Sequence, residues 1–389
     1  MFRKMPFILM VVIIAIIILE PFMSWEMKSI IYGISLSIKS LIVFLLPLII
    51  FGLLFKVASQ LAHNATKVIV LILASVCLSN FFSTLLSYTV GSGVYYFDLS
   101  LVLPQNVQEL EPYWTFELPK LIANDKAMFT ALILGVISSL LQPRLAHKVS
   151  DLFEKITMKI LSLFTILIPL FIAGFVVKLQ FEGLIARIIE DYALIFLVIA
   201  ISQFAYIGFI YMCVNRFKVK AFLKSLQNML PATITGFSTM SSAAAMPLTI
   251  LGAEQNAQDP TLVRSVIPAT VNIHLIGDCF AIPIFAFAIL KNYGIAEPSM
   301  ISYVVFAFYF VLAKFSVAAV PGGGILVMLP ILETHLGFNA EMMSLITALY
   351  ILFDPVITSA NVLGNGGFAQ VMGKIILAFE RFKPRPDFS

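Results

Sequence analysis

The sequence predicts an all-α integral membrane protein with eight transmembrane helices and two re-entrant helical hairpins. Of its 389 residues, 60% are hydrophobic and only 12% are charged, and the mean hydropathy is +1.00. Because soluble domains carry about 25% charged residues, this composition fits lipid as the solvent. Apolar runs of the ~20 residues that a spanning helix needs recur along the chain. The last four runs contain proline, glycine and small polar residues in mid-segment, which predicts backbone breaks there.

Six apolar segments come first and are predicted to cross the membrane. The first follows Arg3 and Lys4, as in a signal peptide, but no small-x-small cleavage site follows it. We therefore interpret it as a spanning helix. The predicted helices lie at 6–24, 28–61, 67–97, 127–148, 150–178 and 184–214.

The other four segments are the interrupted ones, 220–252, 259–291, 298–335 and 339–381. Two of these segments must enter and leave the membrane on the same side, because otherwise the basic loops would not all lie on the cytoplasmic side. The best candidates are 220–252, with small residues at 241–247, and 298–335, with Val320-Pro-Gly-Gly-Gly324. Non-helical backbone persists at membrane depth only where protein or a water-filled cavity satisfies its polar groups. Two such tips, one from each face, predict a midplane binding site between inverted repeats.

Basic residues at helix ends set the predicted orientation. They fall on one side if the N-terminus is cytoplasmic, and they are Arg3/Lys4, Arg144/Lys148, Arg216/Lys218/Lys220/Lys224 and Arg381/Lys383/Arg385. Both termini of this multi-pass protein of the plasma (inner) membrane are then cytoplasmic, and the loop at 98–126 is outside. The net charge of +4 fits this loop bias and implies no nucleic-acid partner. The unpaired spacing of Cys77, Cys213 and Cys279 indicates neither disulfides nor a metal cluster.

Polar residues in the last segment form a candidate site. Asp354, Thr358, Asn361 and Asn365 recur at helical spacing and share one face. Thr and Asn often make interhelical hydrogen bonds in membranes. An aspartate at membrane depth is harder to explain structurally, because burying its charge costs about 2.5–3.5 kcal/mol even on lenient scales. We therefore favour a functional role for Asp354.

Three further ionisable residues lie within apolar segments. His274 and Asp278 are four residues apart and could share a proton, or could simply satisfy each other by a hydrogen bond. Lys314 precedes the second tip; it either extends to an interface or places a fixed ammonium near the site, where a cation would otherwise bind. Phosphate-loop, zinc-protease and nucleophile-elbow motifs are missing from the sequence, so an enzyme is not expected and no cofactor is implied.

Four sequence blocks resemble the dicarboxylate/amino acid:cation symporter family, the glutamate-transporter-like carriers. The first hairpin tip is Ser241-Ser242-Ala-Ala-Ala-Met-Pro247, and Asn272-Ile273-His274-Leu275-Ile276 is an altered Asn-x-Asp-Gly-Thr helix break. The second tip is Val320-Pro321-Gly322-Gly323-Gly324. The last-helix pattern is Asp354-x-x-Ile357-Thr358-x-x-Asn361.

The resemblance implies an elevator-type carrier, usually a homotrimer. Its scaffold would comprise 1–66 and 98–178, and its transport domain 67–97 and 179–389. By position, substrate-binding residues would be Ser241, Ser242, Val320, Gly324, Asp354, Ile357, Thr358 and Asn361, with Asp354 holding an amino group and Asn361 an α-carboxylate. Residues for cation or proton coupling would be Ser83, Thr84, Asn272, His274, Asp278, Lys314 and Asn365. The partners implied are a small-molecule substrate and the bilayer.

Departures from the family pattern shape the expected cargo and coupling. Members with acidic substrates have an arginine where this chain has Ile357 or Met240, and without it bidentate carboxylate recognition is lost. A neutral amino acid is therefore the preferred substrate, and a C4-dicarboxylate is the second choice. His274 and Asn365 replace two cation-site aspartates, and Lys314 lies near the cation site of the second hairpin, so proton coupling, or no sodium coupling, is expected. An uncoupled channel or sensor that retains the fold is the alternative from another class.

Overall fold

The computed structural model describes residues 5–64, 67–97, 109–119, 121–122, 124–317 and 323–381. Thirteen α-helices and one short 3₁₀ helix, Glu20–Phe22, occur in these ranges, which contain no strand. The prediction of an all-α protein is therefore confirmed. The helices are α1 Met5–Leu19, α2 Trp25–Asn64, α3 Lys67–Tyr96, α4 Asn124–Leu141, α5 Pro143–Phe181, α6 Leu184–Val214, α7 Val219–Thr239, α8 Ser242–Glu254, α9 Pro260–Thr270, α10 Ile276–Asn292, α11 Met300–Lys314, α12 Gly323–Leu336 and α13 Ala340–Arg381.

Several of these helices are apolar enough to cross a membrane. Within the described ranges, four stretches meet both the length and the hydropathy needed, namely Trp25–Lys56, Val68–Tyr96, Tyr192–Val214 and Glu341–Ala378. Shorter apolar stretches occur in α1, α4, α5, α11 and α12. A multi-pass membrane protein follows from these helices, while the count of eight crossings stays a prediction.

The boundary between α4 and α5 differs from the predicted one. The segments 127–148 and 150–178 place the break near residue 149, but α4 ends at Leu141 and α5 begins at Pro143. Gln142 precedes α5 with φ −141° and ψ 73°, and Pro143 occupies the first helical turn. Proline is favoured there because it has no N–H to leave unpaired. The break between α4 and α5 therefore lies at Gln142, before the basic residues Arg144 and Lys148 and not after them.

Three of the four interrupted segments are broken into pairs of helices. The segment 220–252 forms α7 and α8, which pack on each other and meet at Met240 and Ser241. The segment 298–335 forms α11 and α12, also packed together, and residues 318–322 between them lie outside the described ranges. We call α7–α8 the first helix pair and α11–α12 the second helix pair. The segment 259–291 forms α9 and α10, separated by 271–275.

The fourth interrupted segment, 339–381, is a single helix. α13 runs for 42 residues from Ala340 to Arg381 with Pro355 inside it. Membrane helices tolerate an internal proline when neighbouring groups satisfy the freed backbone. The mid-segment break suggested by Pro355 is therefore absent from α13.

The helices pack mainly within two groups. In one, α2 packs on α4 and α5, and α1 packs on α5. In the other, α3 packs on α10 and α11, while α13 contacts α6, both helix pairs, α9 and α10. α10 lies at the centre of the second group, because every residue from Ile276 to Leu290 is buried. A helix that is hydrophobic nearly all round is typical of such a buried position or of a membrane span.

An extended segment between α3 and α4 is bound to α2. Three α2 serines hold it: Ser29 accepts a backbone hydrogen bond from Tyr113 at 3.1 Å, Ser37 Oγ accepts from Trp114 Nε1 at 3.0 Å, and Ser40 Oγ accepts from Leu118 N at 2.7 Å. The Trp114 ring also packs on Gly33. The predicted outer loop is thus fixed to the first group of helices over its described part.

Candidate functional site

Asp278 is the centre of a buried polar cluster. It lies in the first turn of α10, and its Oδ2 accepts a hydrogen bond from Lys314 Nζ of α11 at 2.7 Å. Its Oδ1 accepts from Tyr350 Oη at 3.0 Å and from Asn361 Nδ2 at 3.3 Å, both on α13. The Lys314 and Asp278 side chains are only 0% and 2% exposed. Lys314 therefore does not extend to an interface; its ammonium lies beside the candidate site.

The polar stripe on α13 is buried against several helices. Thr358 Oγ1 donates to Asp354 Oδ1 at 2.8 Å, and Asn361 Oδ1 accepts from the backbone N–H of Gly277 at 2.8 Å. Asn365 Nδ2 donates to the Asn361 carbonyl at 3.0 Å. All four stripe residues are buried. These contacts agree with the predicted shared face and place it against the start of α10.

Two asparagines satisfy the non-helical backbone between α9 and α10. Asn80 of α3 donates from Nδ2 to the Ile273 carbonyl at 2.7 Å and accepts from Leu275 N at 3.3 Å. Asn365 donates from Nδ2 to the His274 carbonyl at 3.0 Å. Its Oδ1 accepts from Thr270 Oγ1 at 3.1 Å. Buried backbone groups need such partners, so the break is built into the fold.

His274 and Asp278 do not form the predicted pair. His274 Nε2 is 2.9 Å from Ser79 Oγ of α3, and the imidazole ring packs against Phe368 with 4.2 Å between centroids and 30° between ring planes. Its Nδ1 is buried and has no hydrogen-bond partner among the described residues. The pairing fails because α10 begins only at Ile276, so the two residues do not share a helical face. A direct His274–Asp278 proton relay is therefore wrong.

Close backbone approaches bring the helices together at the stripe. A Cβ on Gly324, in the first turn of α12, would lie 2.6 Å from Asp278 Oδ2 and would also clash with the Tyr350 hydroxyl. A Cβ on Gly277 would clash with the Ile357 carbonyl. Because real Cβ atoms do not approach so closely, both positions need glycine. The second helix pair thus touches the Asp278 cluster through Lys314 and Gly324.

The remaining predicted site residues have varied surroundings. Ser241 caps α8, its Oγ accepting from Ala244 N; Ser242 and Ile357 are buried, and Asn272 is exposed. The Ser83 and Thr84 hydroxyls donate to backbone carbonyls of their own helix. Val320 lies outside the described residues.

Three residues of the site were missed by sequence reasoning. Tyr350 precedes Asp354 by four residues, so extending the stripe by one turn would have found it. Asn80 and Ser79 are polar residues in the apolar helix α3, which is a signal in itself. Their partners lie nearly 200 residues away in sequence, and no local pattern links them.

Oxygen atoms dominate the possible ion ligands of the site. The described residues contain no group of three or more His, Cys, Asp or Glu side chains placed to hold a metal. The oxygen atoms at the two carboxylates are the Tyr350 hydroxyl, beside Asp278, and the Thr358 hydroxyl, beside Asp354, and the amide oxygen of Asn361 accepts from Gly277 N. Such hard ligands suit small cations and protons rather than soft transition metals.

Comparisons with known proteins point to one family. The family model described as the sodium:dicarboxylate symporter family matches residues 5–375. An excitatory amino acid transporter of Onchocerca volvulus is 31% identical over 148 residues, which are 38% of this chain and 30% of that relative. Excitatory amino acid transporter 2 of Mus musculus is 28% identical over 238 residues, 59% of this chain and 41% of the relative. Excitatory amino acid transporter 3 of Homo sapiens is 27% identical over 228 residues, 56% and 42% of the two chains. The chain spans less than half the length of these curated relatives.

Proposed function

Because the chain belongs to the sodium:dicarboxylate symporter family, a family of transporters and not of enzymes, we propose that it is a secondary active transporter. The substrate class is a small amino acid or a dicarboxylate, and a neutral amino acid is preferred. The names of its relatives, which are excitatory amino acid transporters, support an amino acid as the cargo.

The observation that carries the proposal is the buried stripe on α13. Asp354 presents a carboxylate beside Thr358 within a buried, mostly apolar environment, as recognition of a substrate ammonium requires. Asn361 would bind the α-carboxylate. Its Nδ2 currently donates to Asp278, so the substrate would replace or share that contact. Ser241, Ser242, Val320, Ile357 and Gly324 would complete the binding site.

A neutral cargo is favoured by the side chains that surround the stripe. Ile357 is buried and apolar, and the half-buried Met240 ends α7 with φ +48°. Neither supplies the cationic fork that binds a second carboxylate. Lys314 reaches the stripe only through Asp278, with which it is already paired and which also contacts Asn361. A dicarboxylate would therefore have to displace Asp278 from the Lys314 ammonium, which makes it the second choice.

Protons are the preferred coupling ions. Asn365 uses its amide to hold Thr270 and the His274 backbone, so it offers no carboxylate to sodium. His274 packs against Phe368 and hydrogen-bonds Ser79; its imidazole is the type of side chain that can carry a proton, and it supplies no hard oxygen ligand. Ser83, Thr84, Asn272, Asp278 and Lys314 remain the other candidates for coupling.

The helix packing supports an elevator arrangement. α1, α2, α4 and α5 pack mainly on one another and would form the scaffold, with the remaining helices as the transport domain. Eight crossings, two re-entrant helix pairs, cytoplasmic termini and a homotrimer complete the proposal.

Uptake into proteoliposomes tests the function. With a labelled neutral amino acid outside, we expect accumulation driven by an acidic exterior and unaffected by replacing sodium with choline. Uptake that needs a sodium gradient and ignores the pH gradient would contradict proton coupling. Counterflow separates the channel alternative, since a carrier exchanges label against unlabelled substrate inside and a channel does not.

A further inference from the structure

The Asp278–Lys314 ion pair joins the second helix pair to the rest of the second group of helices. Lys314 is the last residue of α11, and its ammonium crosses to α10. On the other arm, Gly324 of α12 packs against the same Asp278 oxygen. α13 adds hydrogen bonds from Tyr350 and Asn361. Four helices therefore meet at a single carboxylate.

A carboxylate in this position needs a cation. Asp278 is almost completely buried, and an isolated buried charge either finds a partner or loses its ionisation. The neutral donors Tyr350 and Asn361 satisfy Oδ1, while Oδ2 takes the ammonium. Lys314 is itself fully buried, and its Nζ lies 4.6 Å from the Phe310 ring centroid. The cation that compensates Asp278 is thus held within the protein interior.

We propose that Lys314 is a resident cation: its tethered ammonium occupies, at Asp278, the place of an exchangeable ion and ties the second helix pair to α10. Since the ammonium is covalently attached to α11, it cannot leave to either side of the membrane with the substrate. Coupling requires an ion whose binding differs between states. The Asp278 position therefore contributes no transported ion. This inference rests on the proposed function and specifies that the position beside Asp278 binds no coupling ion.

Removing the ammonium should convert Asp278 into a site for an exchangeable cation. In detergent-solubilised full-length chain, we expect Lys314→Met to lower the thermal unfolding midpoint, Tm. Replacing choline chloride with sodium chloride at equal ionic strength, or lowering the pH from 8 to 6, should then raise the Tm of this variant more than that of the unaltered chain. Among the described residues, the titratable groups that face Asp278 are Lys314 and Tyr350, Asp354 lies one turn beyond Tyr350 on α13, and the buried thiol of Cys279 lies within electrostatic range of both Lys314 and Asp278.

Two further variants make the test decisive. Lys314→Met combined with Asp278→Asn removes both charges, so its Tm should recover and its response should return to that of the unaltered chain. Lys291→Met is the matched control, because Lys291 is a half-buried lysine at the end of α10 that donates to the Tyr95 carbonyl and lies outside the pair. It should respond to sodium and pH as the unaltered chain does.

Three results would overturn the inference. They are a Lys314→Met variant with no added response to sodium or pH, a double variant that keeps such a response, and an unaltered chain that is already as sensitive as Lys314→Met. If Lys314→Met does not fold, Lys314→Gln takes its place in the same comparison, because it removes the ammonium but can still donate a hydrogen bond to Asp278. These Tm values are measured without transported substrate. Failure of this inference can therefore be distinguished from failure of the proposed transport function, which the uptake experiment tests.

Discussion

Replacing Asn365 with alanine should loosen the break between α9 and α10. The side chain makes three hydrogen bonds, to the His274 and Asn361 carbonyls at 3.0 Å each and from Thr270 Oγ1 at 3.1 Å. Side-chain hydrogen bonds in membrane proteins average ~0.6 kcal/mol each. The Asn361 bond lies within α13 and survives opening, so the two bonds to the break are worth about 1.2 kcal/mol. A loss of this size corresponds to a roughly 8-fold increase in the population of the opened state.

Thiol labelling of Cys279 can measure this opening. Cys279 is buried in α10, four residues beyond Leu275, and would be the single thiol in a chain with Cys77 and Cys213 replaced by alanine. If labelling occurs only from the opened state, its rate reports the free energy of opening. We expect Asn365→Ala to accelerate labelling about 8-fold.

The neighbouring asparagines give a graded control. Asn80→Ala removes two hydrogen bonds to the same segment and should cost about 1 kcal/mol. Asn272 lies in the segment itself but is exposed, so Asn272→Ala should change the opening free energy by less than ~0.5 kcal/mol. Labelling of Asn365→Ala no faster than that of Asn272→Ala would refute the assignment of Asn365 as the residue that holds the break.

Three other substitutions test the site and the scaffold. Asp354→Asn should abolish uptake of amino acids in proteoliposomes while leaving the Tm within a few degrees; unchanged uptake would exclude Asp354 as the amino-group anchor. Gly324→Ala should lower thermal stability by about 1–3 kcal/mol, because its Cβ would overlap Asp278 and Tyr350; an unaltered Tm would contradict the close approach of α12. Gly174→Val should weaken the contact between α2 and α5 by a similar ~1–3 kcal/mol, because Gly174 packs on the α2 backbone, and this is measured by SDS-induced unfolding; wild-type resistance would argue against that packing.

Helix positions were predictable where the apolar pattern is continuous. The predicted 184–214 coincides with α6, and 67–97 differs from α3 by one residue. Composition decides such elements because a lipid-facing helix needs an apolar run and little else. The α4–α5 boundary was wrong because it was set by the end of an apolar run, whereas Pro143 was the local signal.

The candidate site was predictable along one helix and less so between helices. The spacing of Asp354, Thr358 and Asn361 is enough to place them on one face. The His274–Asp278 pair failed because its spacing assumed an unbroken helix, and the break is stabilised by Asn80 and Asn365 from distant parts of the chain. Likewise, Lys314 is 36 residues from Asp278, and only the tertiary fold brings them together.

The unbroken course of α13 limits how this protein can acquire a new specificity. The helix is about 63 Å long at a rise of 1.5 Å per residue, and it carries the polar stripe and also contacts α6, both helix pairs, α9 and α10. A substitution at the stripe therefore disturbs ligand recognition and the packing of several neighbours at once. Variants that alter cargo there will tend to need compensating stabilisation elsewhere. Selection and protein engineering have more freedom at the tip of the first helix pair, where Met240 and Ser241 are half-buried.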